Sequence, residues 1–290
     1  MKKIAHIQKS APAPWVGNGF HVNSLFFYEQ DAAALSPFLM LDYGSPKSFA
    51  PSTQPRGVGQ HPHRGFETVT VAYQGEIEHH DSEGNQGTIG PGDVQWMTAA
   101  SGIVHEEWLS PKFNASGGVL EMAQLWVNLP AKHKMTPPRY QEIVKAQIPT
   151  VVDAAGARVQ VIAGEYAGKR GPAMTYSPIN VWDTQISAGQ TLNLTVKDGY
   201  TTLLAVLKGS VRVNDTQTVA SPALVILDRK GTEAKLEALG GEATVLVLNG
   251  EPLHEPVVGY GPFVMNTEAE IMQAMQDFQS GRFVRAKAAV

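Results

Sequence analysis

Residues 61–75 read HPHRGFETVTVAYQG and carry one signal for structure and one for chemistry. Residues 68–73 are rich in β-branched and aromatic side chains, which are typical of a β-strand, and Gly75 supplies a turn after them. Upstream, one proline separates His61 from His63. Alternate side chains of an extended segment lie on the same face, so this pair predicts two imidazoles directed at one point.

Short runs of the same β-rich kind recur at residues 119–127, 159–163, 203–207 and 244–248. Turn residues separate them, and such spacing favours sandwiches and barrels over βαβ units, which need long helical connections. One helix signal is clear near the C-terminus, where Thr267 and Glu270 form a capping box and Gly281 marks the end. We therefore expect an all-β protein with a short C-terminal helix.

Composition excludes several classes of function. The chain has 290 residues, a formal charge of −4 and no cysteine. This charge argues against direct nucleic-acid binding and against a polybasic membrane surface. Without cysteine there can be no disulfide, thiolate zinc site, iron–sulfur cluster or cysteine nucleophile, so any metal site would use histidine and carboxylate. No apolar run approaches the roughly 18 residues of a membrane span, and we expect a soluble, cytoplasmic protein.

An internal repeat predicts two similar barrels. The pattern of strand, glycine turn, strand, proline turn and strand is found at residues 73–94 and again at residues 207–225. We expect an N-terminal barrel at residues 1–135 and a C-terminal barrel at residues 136–290, with terminal segments that can cross over between them.

A second cluster, His105-Glu106-Glu107, repeats the alternate spacing with a carboxylate in the second place. Together with His61 and His63, His105 and Glu107 offer three nitrogens and one oxygen. This donor set suits one divalent metal such as Fe(II), Zn, Ni, Mn, Cu or Co, with coordination positions left for other ligands. The sequence alone does not select the metal.

Other residues are weaker candidates for the site. Glu67 is the alternative carboxylate, because it lies four residues after His63 and is expected on the same strand face. His79 and His80 are excluded, because neighbouring strand residues face opposite ways and residues 81–84 look like a solvated turn. Glu106 is expected to face solvent.

The other histidines are expected at the surface or in structural hydrogen bonds: His6, His21, His133 and His254. Four large side chains are candidates to line a pocket for an aromatic molecule, although such residues in strands more often belong to the core: Phe66, Trp96, Met97 and Trp126.

The motifs at residues 61–70, 91–99 (PGDVQWMTA) and 102–107 (GIVHEE) resemble the pirin family of the cupin superfamily. PINVWD at residues 178–183 and YGPFVMNT at residues 260–267 are similar to the family's C-terminal region, so the resemblance covers nearly the whole chain. It implies a bicupin, that is, two cupin-type β-barrels.

Carried over residue by residue, the resemblance assigns the metal ligands to His61, His63, His105 and Glu107, and it favours Glu107 over Glu67. It further implies a metal-dependent dioxygenase of the quercetin 2,3-dioxygenase type, with Fe(II) as the first choice of metal and a small aromatic substrate and O2 as reactants. Glu107 would act both as ligand and as the base that receives the phenolic proton.

Two alternatives stay open. The family also includes transcriptional co-regulators, so the metal could sense redox state in a protein that acts through protein partners. A cupin of this kind could also be a metal-dependent isomerase that needs no dioxygen.

The repeat predicts that the second barrel has no metal site. Offsets taken from the first barrel place the equivalents of the four ligands at Thr195, Lys197, Leu236 and Ala238, and the chain has no histidine between His133 and His254. We expect the second barrel to be structural.

Overall fold

A computed structural model describes the backbone of residues 1–284 and their side chains except those of residues 11–14. Its helices are Tyr28–Leu35 (α1), Pro111–Ser116 (α2) and Glu268–Gln279 (α3), and short 3-10 helices lie at Ala131–His133 and Lys145–Gln147. Up to residue 143 the strands are Ile4–Lys9 (β1), Ala11–Val16 (β2), Phe20–Phe27 (β3), Phe38–Phe49 (β4), Gly57–His63 (β5), Phe66–Gln74 (β6), Ile77–Asp81 (β7), Gln86–Ile89 (β8), Val94–Thr98 (β9), Ile103–Leu109 (β10), Gly118–Asn128 (β11) and Arg139–Ile143 (β12). Beyond it they are Thr150–Val152 (β13), Arg158–Ala163 (β14), Glu165–Tyr166 (β15), Lys169–Arg170 (β16), Ile179–Ile186 (β17), Thr191–Thr195 (β18), Thr201–Lys208 (β19), Ser210–Val213 (β20), Gln217–Ala220 (β21), Ala223–Leu227 (β22), Glu233–Ala238 (β23), Ala243–Gly250 (β24), Val258–Tyr260 (β25) and Phe263–Met265 (β26).

Four sheets form two barrels with the same strand order. In the first barrel the sheets run β12-β9-β6-β11-β4-β3-β2 and β5-β10-β7-β8; in the second they run β1-β22-β19-β24-β17-β14-β13 and β18-β23-β20-β21. The segment β9-β6-β11-β4 therefore corresponds to β22-β19-β24-β17, and the small sheets match strand for strand. The predicted all-β bicupin fold and the internal repeat are confirmed.

The glycine turns of the repeat join corresponding hairpins. Gly75 connects β6 to β7 with a φ of +85°, and Gly209 connects β19 to β20 with a φ of +73°. Glycine adopts this left-handed conformation without the steric penalty of a side chain. The sequence signal of the repeat is thus a backbone requirement at the same point of each barrel.

Contacts group the chain into two compact units, each assembled from separate segments. One unit contains residues 1–12, 23–43 and 143–253, and the other contains residues 13–22, 44–142 and the chain from residue 254 onward. The chain passes from one unit to the other within β2, β3, β4 and β12, and again between residues 253 and 254. The expected boundary at residues 135 and 136 stays a prediction.

The C-terminal helix forms where the capping signal predicts it. The Thr267 side chain accepts a hydrogen bond from the Glu270 backbone N–H, and Gly281 follows the helix with a φ of +72°. Ile271 and Ala274 are buried in a cluster with Phe263 of β26. Helices α1 and α2 were not expected from the sequence. No helix within residues 1–284 combines the length and the apolar character that a membrane span requires.

Gly189 and Gly209 of the second barrel have nearly the same φ, so a comparison of alanine substitutions at the two positions distinguishes backbone strain from steric overlap. A Cβ on Gly189 (φ +74°) would have no neighbour within 4 Å in the described part of the chain, whereas a Cβ on Gly209 would overlap the backbone carbonyl oxygen of Glu242. We expect Gly189→Ala to lower the free energy of unfolding by about 1 kcal/mol and Gly209→Ala by about 3 kcal/mol or more. Urea unfolding of both variants measures the difference, and equal losses would contradict it.

Candidate metal centre

Strand β10 brings the two sequence motifs together because it lies between β5 and β7. Against β5, His105 is directly opposite His61; against β7, Glu107 is directly opposite His79. Alternate residues of β10 are buried, so His105 and Glu107 share the inner face while Glu106 lies between them on the other face. The register between β10 and β5 shifts between His105 and Glu107.

Three imidazoles converge at the inner face. The ring centroids of His61 and His105 are 4.3 Å apart, those of His61 and His63 are 4.9 Å apart, and those of His63 and His105 are 5.0 Å apart. One ring nitrogen from each lies within 4.8 Å of the other two. A second group, with the same limit, joins Glu107 to His105 and His79. The structure thus assembles the three predicted histidines, with Glu107 beside the imidazole that both groups share.

The buried imidazoles of this cluster are held neutral. Burial, reinforced by the neighbouring His61, lowers the pKa of His63 to about 3. Burial also lowers the pKa of His105 well below its ordinary value, and the surrounding imidazoles add to the effect. A neutral imidazole keeps the lone pair that a metal ion requires.

Two of the three histidines use Nδ1 for a hydrogen bond to the backbone. His61 Nδ1 is 2.8 Å from the carbonyl oxygen of Gly59, and His63 Nδ1 is 3.4 Å from that of Pro262. A carbonyl oxygen only accepts, so Nδ1 carries the proton in both rings and Nε2 keeps its lone pair.

His105 reaches the same tautomer through a second imidazole. Its Nδ1 is 3.4 Å from Nδ1 of His79, and His79 Nε2 is 3.1 Å from Oδ2 of Asp81. Because the carboxylate only accepts, His79 donates from Nε2 and offers its Nδ1 lone pair to the N–H of His105. His105 Nε2 is then left bare, and this atom is buried without a hydrogen-bond partner in the described part of the chain.

Asp81 is fixed as the acceptor at the end of this chain of hydrogen bonds. It accepts hydrogen bonds from the backbone N–H groups of Glu83 and Asn85 and from the Asn85 side chain. Burial opposes its charge, but the hydrogen bonds from His79 and Asn85 bring the pKa of Asp81 below its usual value. The segment expected to be a solvated turn therefore anchors the interior of the site.

Neutral donors surround the carboxylate of Glu107. Its Oε1 accepts from Gln95 Nε2 at 3.0 Å and from Thr70 Oγ1 at 3.4 Å, and its Oε2 accepts from Gln124 Nε2 at 3.2 Å. These donors come from β9, β6 and β11. The Tyr140 hydroxyl donates to Gln95 Oε1 at 3.4 Å, and the Tyr140 ring stacks on His79 with centroids 4.7 Å apart.

These residues fit a divalent metal. Each of the three imidazoles has Nδ1 against a hydrogen-bond acceptor, which leaves Nε2 available to a metal. His105 Nε2 is buried with no hydrogen-bond partner among the described residues, and a buried carboxylate lies beside the cluster. Nitrogen and oxygen donors of this kind bind divalent transition metals. His61, His63, His105 and Glu107 as the complete ligand set remain a prediction.

The expected position of Glu67 is wrong. Strand β5 ends at His63 and β6 begins at Phe66, so the spacing of four residues does not run along one strand. Glu67 pairs with Thr98 of β9 and accepts a hydrogen bond from the Thr98 hydroxyl at 2.7 Å. Thr70, which contacts Glu107, lies on the other face of β6. Burial raises the pKa of Glu67 to about 7.

Two of the four candidate pocket residues contact the cluster. The ring centroid of His63 is 5.1 Å from that of Phe66 and 5.4 Å from that of Trp126, and the latter two rings are 4.4 Å apart. Trp126 is half-buried. Met97 pairs with Thr68 and therefore lies on the sheet face of Phe66. Trp96 pairs with Val69 and therefore lies on the other face, with Glu67.

Excluding His79 was a further error of the sequence interpretation. His79 is fully buried, and alternation along β7 places it on the face of Ile77. That apolar residue two positions upstream was the available signal. His80 does lie on the outer face, where it pairs with Glu78 and Glu106. His6 and His254 are exposed, and His21 and His133 are half-buried.

The strand register gives different equivalents in the second barrel from those that the sequence offsets predict. Ile77 and Val211 are equivalent, because each lies two residues after the glycine turn of its barrel. Two residues further on, His79 corresponds to Val213. Glu107 is opposite His79 and Leu236 is opposite Val213, so Leu236 takes the place of Glu107. Ala234 and its partner Leu194 take the places of His105 and His61, and Val196 takes that of His63. The connections differ in length between the barrels, which accounts for the discrepancy. Pro91 lies three residues before β9 whereas Pro222 lies one residue before β22, and His63 lies 12 residues before Gly75 whereas Val196 lies 13 residues before Gly209.

Similar proteins decide the family. Residues 19–127 match the Pirin family model, and residues 181–284 match that of the Pirin C-terminal cupin domain. The chain belongs to the pirin family. A Pseudomonas aeruginosa relative named "Putative quercetin 2,3-dioxygenase" is 55% identical over 288 residues, which cover 99% of this chain and 100% of the relative.

One solved structure and one further sequence relative agree with this assignment. A crystal structure of quercetin 2,3-dioxygenase from Acinetobacter baumannii is 53% identical, with a TM-score of 0.95 and coverage of 98% of both chains. A pirin-like protein of Caulobacter vibrioides is 42% identical over 256 residues, which are 87% of this chain and 89% of the relative. The resemblance first seen in the motifs is confirmed.

The geometry predicts that His79 positions His105 without being a metal ligand. His79→Leu removes the acceptor for the His105 Nδ1 proton, and we expect it to weaken Zn(II) binding by about 10- to 100-fold. His79→Asn, which places an amide oxygen near the former Nδ1, is expected to restore most of the affinity. Competition with a chromophoric chelator measures the dissociation constants.

His80→Leu is the matched control, because His80 neighbours His79 in the chain but lies on the outer face of β7. We expect wild-type affinity for it. Equal losses in the His79→Leu and His80→Leu variants would contradict the positioning role.

Burial of Glu67 predicts a pH-dependent cost in stability. Its pKa is about 7 in the folded protein against 4.5 for an unperturbed carboxyl, so the folded state holds its proton more tightly. The stabilisation is complete below pH 4.5 and is lost as pH rises through 7. Glutamine does not titrate, so Glu67→Gln does not lose stability in this way. In metal-free protein we expect the free energy of unfolding of Glu67→Gln, minus that of wild type, to increase by about 3 kcal/mol between pH 4.5 and pH 8. Chemical denaturation at both pH values measures this, with Glu106→Gln as control, and a pH-independent difference would contradict it.

Proposed function

We propose that the chain is a metal-dependent dioxygenase of the quercetin 2,3-dioxygenase type, with His61, His63, His105 and Glu107 holding one Fe(II). The observation that carries the proposal is the group of three imidazoles with bare Nε2 atoms next to a buried carboxylate. The names of relatives that are 53% and 55% identical support the reaction class. The substrate is a flavonol or a related enol or phenol.

Bound at this site, the metal supplies Lewis acidity toward a substrate oxygen and the redox capacity that dioxygen chemistry needs. The protein supplies a donor set fixed before substrate binds. His61, His63 and His105 each have Nδ1 occupied by an acceptor, so no ring has to rotate or exchange a proton to present Nε2.

Glu107 is the base of the reaction. Its Oε1 accepts two hydrogen bonds and its Oε2 accepts one, so Oε2 keeps more lone-pair capacity for the proton of the substrate hydroxyl. Gln95, Gln124 and Thr70 are neutral and hold the carboxylate without neutralising its charge. Removal of the hydroxyl proton makes the substrate electron-rich, which favours its reaction with dioxygen.

An aromatic substrate has a matching surface at His63. Phe66 and Trp126 pack against this imidazole, and the half-buried Trp126 offers a ring face for offset stacking. Both atoms of dioxygen enter the ring-opened ester, and one ring carbon leaves with its own oxygen as carbon monoxide. The proton held by Glu107 returns to the product.

Glu107→Gln and His61→Ala test the proposal in iron-loaded protein under air. We expect each to lower quercetin turnover, followed by loss of flavonol absorbance and by release of carbon monoxide, by about 100-fold or more. Glu106→Gln and His80→Ala are the matched controls, since both side chains lie on the outer faces of β10 and β7, and they should retain wild-type rates.

Turnover that is equal in the Glu107→Gln and Glu106→Gln variants would contradict the role of Glu107. A wild-type protein that binds Fe(II), Ni(II), Mn(II) or Co(II) stoichiometrically and turns over no flavonol with any of them would overturn the proposed reaction. Activity without dioxygen would instead support the isomerase class.

A further inference from the structure

The second barrel contains a cavity that reaches the equivalent of one residue of the histidine cluster. The cavity has a volume of about 770 Å³, and Val196, the equivalent of His63, is one of the residues that line it. Leu194, Ala234 and Leu236, at the places of His61, His105 and Glu107, belong to the apolar core of this barrel. These three residues do not line the cavity, and Val196 is its apolar contact with this region. The cavity volume is within the range of small-molecule pockets.

Aromatic side chains form the inner wall of the cavity. Trp182 and Tyr166 both line it, with ring centroids 4.9 Å apart in an edge-to-face arrangement. Tyr200 lines it as well. Flat rings of this kind suit a planar aromatic guest.

The indole N–H of Trp182 is a donor that lacks an acceptor. Trp182 is 1% exposed, and its Nε1 has no hydrogen-bond partner in residues 1–284. The neighbouring polar group is already satisfied, because the Asn180 side chain donates to Asn249 and accepts from the Glu165 backbone N–H. A buried unpaired donor is costly, so a ligand oxygen at this point would be favoured.

The cavity mouth is positively charged. Its charged lining residues are Lys197, Arg170 and Glu165, all of them exposed. Lys197 Nζ lies 5.3 Å from the centroid of the Tyr200 ring, and Glu165 is directly opposite Arg170 in the β15–β16 pair. Two cations against one carboxylate favour an anionic group at the entrance.

We propose that this cavity binds a hydroxylated aromatic carboxylate. The aromatic ring packs against Trp182 and Tyr166, the ring hydroxyl accepts from the indole N–H at the inner end, and the carboxylate lies between Lys197 and Arg170 at the mouth. Among the described residues no cluster of potential metal ligands lies at this site, so its binding does not depend on the reaction proposed for the first barrel.

Isothermal titration of the metal-free, full-length protein with 4-hydroxycinnamate tests the proposal. We expect saturable binding at one site per chain and about tenfold weaker binding of the uncharged 4-hydroxycinnamamide. Lys197→Met should reduce the affinity for the acid to about that of the amide. Lys169→Met is the matched control, because Lys169 adjoins Arg170 in the chain but does not line the cavity.

The inner end of the site is tested with Trp182→Phe, which keeps a ring and removes the donor. We expect this variant to lose the preference for 4-hydroxycinnamate over cinnamate. Binding should persist in His61→Ala, which separates this site from the first barrel.

Absence of binding at millimolar acid, equal affinity for acid and amide, equal effects of Lys197→Met and Lys169→Met, or loss of binding in His61→Ala would each overturn the proposal. Lys197 is exposed, so its substitution reports on the ligand even if Trp182→Phe fails to fold.

Discussion

The pairing of β10 with β5 on one side and β7 on the other is the constraint on which the candidate site depends. Because side chains alternate along a strand, one register places His105 beside His61 and Glu107 beside His79 on the same inner face. A shift by one residue would turn Glu106 and Trp108 inward. The apolar neighbours Ile103 and Leu109, which are buried on that face, hold the register that the chemistry needs.

Protonation within the site follows from the same geometry. Burial keeps His63 and His105 neutral, and each Nδ1 meets an acceptor, so all three lone pairs fall on Nε2. For His61 and His63 the acceptors are backbone carbonyls, whereas His105 depends on His79, which depends in turn on Asp81. His79 and Asp81 thus fix the tautomer of His105, as backbone carbonyl groups fix those of His61 and His63.

The two barrels show how one fold supports different interiors. Their small sheets have the same order, yet the positions of the three histidines and Glu107 hold Leu194, Val196, Ala234 and Leu236 in the second barrel. Apolar side chains at those positions pack in the core of the barrel, and the cavity that Val196 lines has Tyr166, Trp182 and Tyr200 in its wall. Strand pairing and turn glycines specify the architecture, and the inward-facing residues specify what each interior can bind.

Sequence by itself determined the all-β class, the internal repeat and the C-terminal helix, because these depend on local periodicity, turn chemistry and capping. It predicted that the 61–63 and 105–107 motifs converge only from the alternate spacing within each motif and from the family resemblance, because the pairing of β10 with β5 is a contact between distant strands. It did not determine the face of Glu67, since the break between β5 and β6 at Arg64 and Gly65 interrupts the alternation. It also missed His79, Gln95, Gln124 and Tyr140, whose roles depend on neighbours from other strands. Cross-strand register and burial are properties of the assembled sheets, and only the tertiary structure decides them.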